Sequence, residues 1–111
     1  MSVLVPVLAT SKQSISWLDE CLASTHQSGV GQVIVVNDGS DRCWDDDLYN
    51  LAAKHGATYY KIARSGKSAA RNYAVKRATY NLIYPLDADD YLVDGAMLKL
   101  LHLWHGRPVY R

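Results

Sequence analysis

The hydrophobic residues follow two alternating patterns along the chain, and each pattern predicts a different secondary structure. Short segments rich in apolar and β-branched residues predict four strands, at residues 3–7, 33–36, 58–62 and 82–86. Apolar residues at helical spacing follow each strand, and they predict four helices, the last of which starts near Asp94. This alternation is typical of right-handed βαβ units. The chain is therefore predicted to be an α/β domain, with a mostly parallel sheet of about four strands and helices on both faces.

Residues at the ends of two helices predict where those helices begin and stop. One of the three aspartates at 45–47 is expected to cap the second helix, and Gly56 is expected to end it. Ser65 or Ser68 is expected to cap the third helix.

Charge and composition exclude several classes of protein. The 111 residues carry a formal charge of +1, so the chain lacks the basic surface of a nucleic-acid-binding protein. Its apolar runs are too short to span a bilayer, which needs about 18 residues, and its N-terminus has no basic segment of a signal peptide. We therefore expect one domain over residues 1–111, cytoplasmic and not an integral membrane protein, with Cys21 and Cys43 as reduced structural thiols.

Acidic residues after the fourth strand give the strongest chemical signal. Asp87 and Asp89 are two positions apart at the end of a buried strand, where both carboxylates can face a hard divalent cation such as Mg²⁺ or Mn²⁺. The alternative is a solvated turn. Asp45 and Asp47 have the same spacing, but they open a helix, which favours capping there. Some phosphatases also use paired aspartates at the end of a strand. That reading is disfavoured, because their pair normally follows the first strand, whereas here it follows the fourth.

Two further polar segments follow predicted strands. Asp38 ends the second strand, where a carboxylate can accept hydrogen bonds from a base or ribose, although an ordinary Asx turn explains the segment equally well. The third helix begins near Arg64, Lys67 and Arg71, which are suited to neutralising phosphate. Arg71 is equally compatible with a plain surface position. Residues 61–68 lack the first glycine of a P-loop.

Together these segments resemble a known family. Residues 3–7, 33–41, 66–72 and 86–91, in this order, are similar to the N-terminal, nucleotide-sugar-binding half of a family 2 glycosyltransferase. The resemblance spans nearly the whole chain. It implies a Rossmann-like half of the GT-A fold, which binds a nucleotide-diphosphate sugar and transfers the glycosyl group to an acceptor that the sequence does not identify.

The resemblance also implies roles for single residues. Pro6, Asp38, Arg71 and Asp87 would bind the nucleotide sugar, most often a UDP-sugar in this family, with Asp38 at the base or ribose. Asp87 and Asp89 would bind Mn²⁺ or Mg²⁺, with Asp89 as the second acid of the DxD motif. That cation would stabilise the leaving nucleotide.

The chain also departs from the family pattern. The family commonly has a tyrosine and an asparagine where this chain has Leu8 and Ala9, and its later part supplies the acceptor site and the catalytic base. We therefore expect a truncated domain without an assignable catalytic residue. The alternative is a non-catalytic remnant or assembly module. Leu98 and Leu103 lie off the inner stripe of the last helix, which predicts that either more chain or another subunit covers them, and we expect a homo-oligomer.

Overall fold

Strands and helices alternate along the chain in the computed structural model, which describes residues 1–105. The elements are β1 (Ser2–Val7), α1 (Lys12–Ser24), β2 (Gln32–Asp38), α2 (Asp45–Lys54), β3 (Thr58–Ile62), α3 (Lys67–Val75), β4 (Ile83–Pro85) and α4 (Ala96–His105). A short 3₁₀ helix at Arg42–Trp44 leads into α2. All four predicted strands and all four predicted helices are present in the described part of the chain.

The strands form one parallel sheet in the order β3-β2-β1-β4. Val3 of β1 is in register with Val33 of β2 on one side and with Tyr84 of β4 on the other. All six residues of β1 are buried, as expected for a central strand covered on both faces. The predicted fold class is confirmed. Because every strand is parallel, the loops that leave the strands gather at the same edge of the sheet.

Helices cover both faces of this sheet, because side chains alternate along each strand. One face packs against α1, α2 and α4, and its fully buried residues include Val5, Leu18, Leu22, Leu48 and Met97. The other face packs against α3 through Leu4, Ile34, Val36, Ala70 and Ala74. Two small alanines on α3 let that helix lie close to the sheet. Burial of each large aliphatic side chain contributes roughly 1.5–3 kcal/mol.

The predicted N-capping residues are wrong for both α2 and α3. Trp44 occupies the N-cap position of α2 with a nearly helical backbone conformation, and its side chain makes no capping hydrogen bond. The Asp45 carboxylate instead forms a salt bridge with Lys61 on β3, with 2.7 Å between Oδ1 and Nζ. Gly66 is the N-cap of α3, without a side-chain cap. The prediction that Gly56 ends α2 is confirmed, since it follows the C-cap residue with φ of +71°.

The C-terminal segment differs in detail from the expectation. β4 has only three residues, Ile83–Pro85, and α4 begins at Ala96 rather than near Asp94. Leu98 and Leu103 are exposed, as their positions predict. Residues 108–110, where the sequence indicates the start of another strand, lie outside the described residues. Within residues 1–105, no helix has the length and apolar character needed to cross a membrane.

Candidate functional site

Two adjoining clefts lie at the carboxyl edge of the sheet, where the loops after β1, β2 and β4 meet. The Asp38 cleft has a volume of about 230 Å³ and is bordered by Asp38, Arg64 and Gly66. The Asp89 cleft has a volume of about 260 Å³, and its lining includes Thr10, Ser14, Trp17, Asp87 and Asp89. The two clefts share Pro6, Val7, Leu8 and Lys67. They therefore form one groove, with Lys67 at the point where they meet.

The acidic turn after β4 brings three carboxylates together. Oxygens of Asp87, Asp89 and Asp90 all lie within 4.8 Å of one another, and the last two side chains are exposed. A backbone hydrogen bond of 2.9 Å from Asp90 N to the Asp87 carbonyl closes the turn. Carboxylate oxygens are the ligands that Mg²⁺ and Mn²⁺ prefer, so the donor set fits either ion. The sequence predicted Asp87 and Asp89 but missed Asp90 as a member of the cluster.

Two cations of α3 contact the first of these carboxylates. Arg71 Nη2 donates a hydrogen bond of 2.9 Å to Asp87 Oδ1, and Lys67 Nζ lies 3.2 Å from the same oxygen. The Arg71 Nε is buried although the side chain is 37% exposed, so the guanidinium lies against the acidic turn at the surface of the groove. One carboxylate oxygen of Asp87 therefore serves both cations. The structure thus brings Lys67 and Arg71 to Asp87, which lies 20 and 16 residues further along the sequence.

Asp38 anchors the loop that precedes α3. Its side chain is buried, and its two carboxylate oxygens accept hydrogen bonds from the backbone N–H groups of Ser65, at 2.8 Å, and Gly66, at 3.0 Å. Gly39 follows with φ of +70°, and a Cβ there would lie 2.5 Å from the backbone nitrogen of Arg64. The segment is therefore more than an ordinary turn, since it fixes one wall of the Asp38 cleft.

A buried network supports the neighbouring loop after β1. Ala9 N donates to Ser40 Oγ at 2.9 Å, and Ser40 N donates to Asn37 Oδ1 at 2.9 Å. The Asn37 amide then donates to the hydroxyl of Tyr59 on β3. Ala9 replaces a polar residue of the family pattern, yet its backbone is still held. This network holds the backbone directly after Leu8, which lines both clefts of the groove.

Cys21 lies beneath the acidic turn. Its thiol donates to the backbone carbonyl of Asp87 at a sulfur–oxygen distance of 3.6 Å. Burial, together with the negative charges of the nearby Asp90, Asp89 and Asp87 carboxylates, raises the pKa of the Cys21 thiol to about 12. The thiol therefore stays protonated and supports the turn. Both cysteines are free, as the sequence predicts, but Cys43 is exposed, so the structural role expected for it is wrong.

Trp17 is a lining residue that the sequence pattern does not single out. It lies on α1, is 45% exposed and borders the Asp89 cleft together with Ser14. Ser11 and Ser14 form a capping box that fixes the start of this helix beside the groove. The available signal was a large aromatic residue on the outer side of an amphipathic helix.

The fold and the site together define a class of protein. A parallel α/β sheet with acidic and basic side chains gathered at its carboxyl edge is the usual arrangement for binding phosphorylated ligands. The family model for glycosyl transferase family 2 matches residues 2–109. The chain belongs to this family, and the resemblance noted in the sequence is confirmed.

Similar proteins of known name support the same fold. Poly-β-1,6-N-acetyl-D-glucosamine synthase of Staphylococcus epidermidis is 27% identical over 78 residues, which are 69% of this chain and 19% of the synthase. S. aureus TarS 1–349 in complex with UDP-GlcNAc superposes with a TM-score of 0.74 at 22% identity, covering 95% of this chain and 31% of the 1–349 fragment.

A second solved structure gives a similar result. The mannosyltransferase PcManGT of Pyrobaculum calidifontis, in complex with GDP-Man and Mn²⁺, has a TM-score of 0.75 at 23% identity. The superposition covers 96% of this chain and 32% of PcManGT. The chain thus spans about a fifth to a third of these proteins.

Proposed function

We propose that this chain is the donor-binding part of a glycosyltransferase. It binds a nucleotide-diphosphate sugar, whose glycosyl group passes to an acceptor. The observation that carries the proposal is the convergence of three aspartates, Asp87, Asp89 and Asp90, with Lys67 at the groove on the carboxyl edge of the sheet. Membership of glycosyl transferase family 2 supports the same activity.

The shape of the groove suggests how the donor lies. We place the nucleoside in the Asp38 cleft, beside Pro6, and the sugar in the Asp89 cleft, beside Trp17. The diphosphate then passes Lys67, which lines both clefts and offers an ammonium group to its oxygens. Each volume is below that of a typical drug-sized ligand pocket, so the donor needs both clefts.

Asp38 contributes to nucleoside binding in two ways in this proposal. Its two oxygens already accept backbone hydrogen bonds from Ser65 and Gly66, so it holds the wall of the cleft. A carboxylate oxygen has a second lone pair, which can accept a hydrogen bond from a ribose hydroxyl or a base N–H. We favour a UDP-sugar as the donor, supported by the UDP-GlcNAc bound to TarS, whereas PcManGT binds GDP-Man.

The acidic turn is the proposed site of a divalent cation, Mn²⁺ or Mg²⁺. Asp89 and Asp90 are exposed and offer oxygen ligands, and Asp87 completes the cluster. The bound cation supplies positive charge that stabilises the leaving nucleotide diphosphate. Arg71 holds the Asp87 carboxylate in place, and Lys67 adds a second positive charge next to the phosphate path. PcManGT, which has the same fold, was solved with Mn²⁺.

Calorimetric titration tests this proposal. UDP, GDP, UDP-GlcNAc and GDP-mannose are titrated into the chain with and without Mn²⁺. We expect Mn²⁺-dependent binding of a uridine nucleotide that Asp89→Asn abolishes. The matched control is Asp47→Asn, because Asp45 and Asp47 repeat the acid-x-acid spacing at the start of α2 and line neither cleft. Absence of binding to every nucleotide, or an unchanged affinity in Asp89→Asn, contradicts the proposal.

The second candidate is a non-catalytic module that assembles with its own copies. It is favoured by the exposed apolar residues Leu98, Leu100 and Leu103 on α4. Light scattering at high protein concentration tests it, with Leu98→Ser as the variant expected to dissociate. A monomeric wild-type chain contradicts this candidate, and detectable sugar transfer favours the enzyme. The cytoplasmic location expected from the sequence stays a prediction.

A further inference from the structure

Two histidines face each other at the amino edge of the sheet, opposite the acidic turn. His26 follows the end of α1, and His55 is the C-cap residue of α2. The Nε2 atom of His26 lies 3.0 Å from the Nδ1 atom of His55. The two residues are 29 positions apart, so only the packing of α1 against α2 brings these nitrogens together.

A carboxylate holds the second of these imidazoles in a defined orientation. The Nε2 atom of His55 lies 2.7 Å from Asp19 Oδ1, and the His55 side chain is only 8% exposed. A carboxylate accepts hydrogen bonds, so His55 carries its proton on Nε2 and presents the lone pair of Nδ1 towards His26. The pKa of Asp19 is lowered, mainly by its hydrogen bond with His55 and further by the nearby Lys54 ammonium group.

We infer that His26 Nε2 and His55 Nδ1 bind a divalent transition-metal ion such as Zn²⁺. Asp19 does not bind the ion but accepts a hydrogen bond from the other ring nitrogen of His55. Zinc–nitrogen bonds are about 2.0–2.1 Å long, so two nitrogens on one tetrahedral ion lie roughly 3.3 Å apart. The observed 3.0 Å therefore has to lengthen by about 0.3 Å, with the proton of His26 moved to Nδ1. The ring centroids are 5.2 Å apart, so the two nitrogens now point almost directly at each other, and the exposed His26 ring also has to turn until both lone pairs converge on the ion. Metal-bound histidines usually donate their other ring N–H to a carboxylate, as His55 does to Asp19.

The surroundings of the pair leave room for such an ion. His26 is exposed and His55 is nearly buried, so one ligand can adjust while the other is fixed. Both line an open cleft of about 630 Å³, together with Gln27 and Ser28. Water or an anionic group completes the coordination from this cleft. Imidazole suits zinc, copper and nickel, whereas the oxygen cluster at Asp89 suits Mg²⁺ and Mn²⁺, so the two sites select different ions.

Calorimetric titration of Zn²⁺ into the whole chain, with excess Mg²⁺ to occupy oxygen sites, tests the inference. We expect one equivalent of Zn²⁺ to bind the wild-type chain. His26→Ala, which changes an exposed residue, removes this binding, and Asp19→Asn weakens it roughly tenfold. His102→Ala is the matched control, since His102 is exposed on α4.

The same titration followed by NMR gives an independent readout. Zn²⁺ is expected to shift the imidazole signals of His26 and His55 while that of His102 stays in place. Zinc affinity that is equal in wild type and His26→Ala, or the absence of a histidine-dependent equivalent, overturns the inference. Because this site lies at the opposite edge from the groove, its failure leaves nucleotide binding unaffected, and the reverse also holds.

Discussion

Lys67 Nζ lies 3.2 Å from Asp87 Oδ1, which joins the first turn of α3 to the acidic turn after β4. Arg71, one helical turn further along α3, reaches the same oxygen at 2.9 Å. The positive charge of α3 is thus already directed at the carboxylates that we propose as metal ligands. Lys67 competes with a metal ion for Asp87 but assists a diphosphate, which carries the opposite charge.

Lys67→Gln is therefore expected to change two affinities in opposite directions. Mn²⁺ alone binds more tightly, by up to about fivefold, because an exposed salt bridge worth roughly 0.2–1 kcal/mol is lost. UDP in the presence of Mn²⁺ binds at least about tenfold more weakly, because a charge-assisted hydrogen bond is removed. Calorimetry measures both affinities, with Lys76→Gln at the exposed end of α3 as the control. Changes of the same sign for both ligands contradict this prediction.

Asp38→Asn is expected to destabilise the fold as well as the site. The carboxylate accepts two backbone N–H groups, from Ser65 and Gly66, and the amide of asparagine can accept only one of them. Loss of a buried charged hydrogen bond costs roughly 1.5–3 kcal/mol. Urea denaturation measures the free energy of unfolding, and Asp41→Asn, at an exposed loop position, serves as the control. Equal stability of the two variants contradicts the anchoring role.

Gly39→Ala and Gly56→Ala separate backbone strain from steric contact. The two glycines have φ of +70° and +71°, so alanine suffers the same left-handed strain of about 1–2 kcal/mol at each. At Gly39 the new Cβ also meets the Arg64 backbone at 2.5 Å, whereas at Gly56 it meets open space. We expect Gly39→Ala to lose at least about twice as much unfolding free energy, measured in urea. Similar losses argue against close packing of the two loops.

Alkylation is expected to distinguish the two cysteines. Cys43 is exposed and reacts with iodoacetamide at pH 8, whereas Cys21 is buried and its raised pKa keeps it protonated. Urea makes both reactive. Because the folded pKa of Cys21 lies above the usual 9.0, its contribution to stability is complete below pH 9 and is lost as the pH rises towards 12. Mass spectrometry measures the modification, and equal rates in the native chain contradict the prediction.

Local sequence patterns predict much of the architecture. The β-branched block at 33–36 and the apolar stripe of α1 predict a strand and a helix, because each element buries one regular set of positions. Gly56 marks the end of α2, because few other residues adopt its backbone conformation. Helix starts were not predictable in this way. Trp44 and Gly66 take the cap positions, while Asp45 forms a salt bridge with Lys61 and the Ser65 hydroxyl donates to the Ala63 carbonyl.

The sequence by itself determined the α/β alternation, the family and the acidic motif at Asp87 and Asp89, because these depend on spacing along the chain. Only the tertiary structure decided that Asp38 anchors the loop at Ser65, that Lys67 and Arg71 share one oxygen of Asp87, and that His26 meets His55. These pairs are separated by 16 to 29 residues. Their contacts depend on how helices pack on a parallel sheet, and local sequence does not encode that geometry.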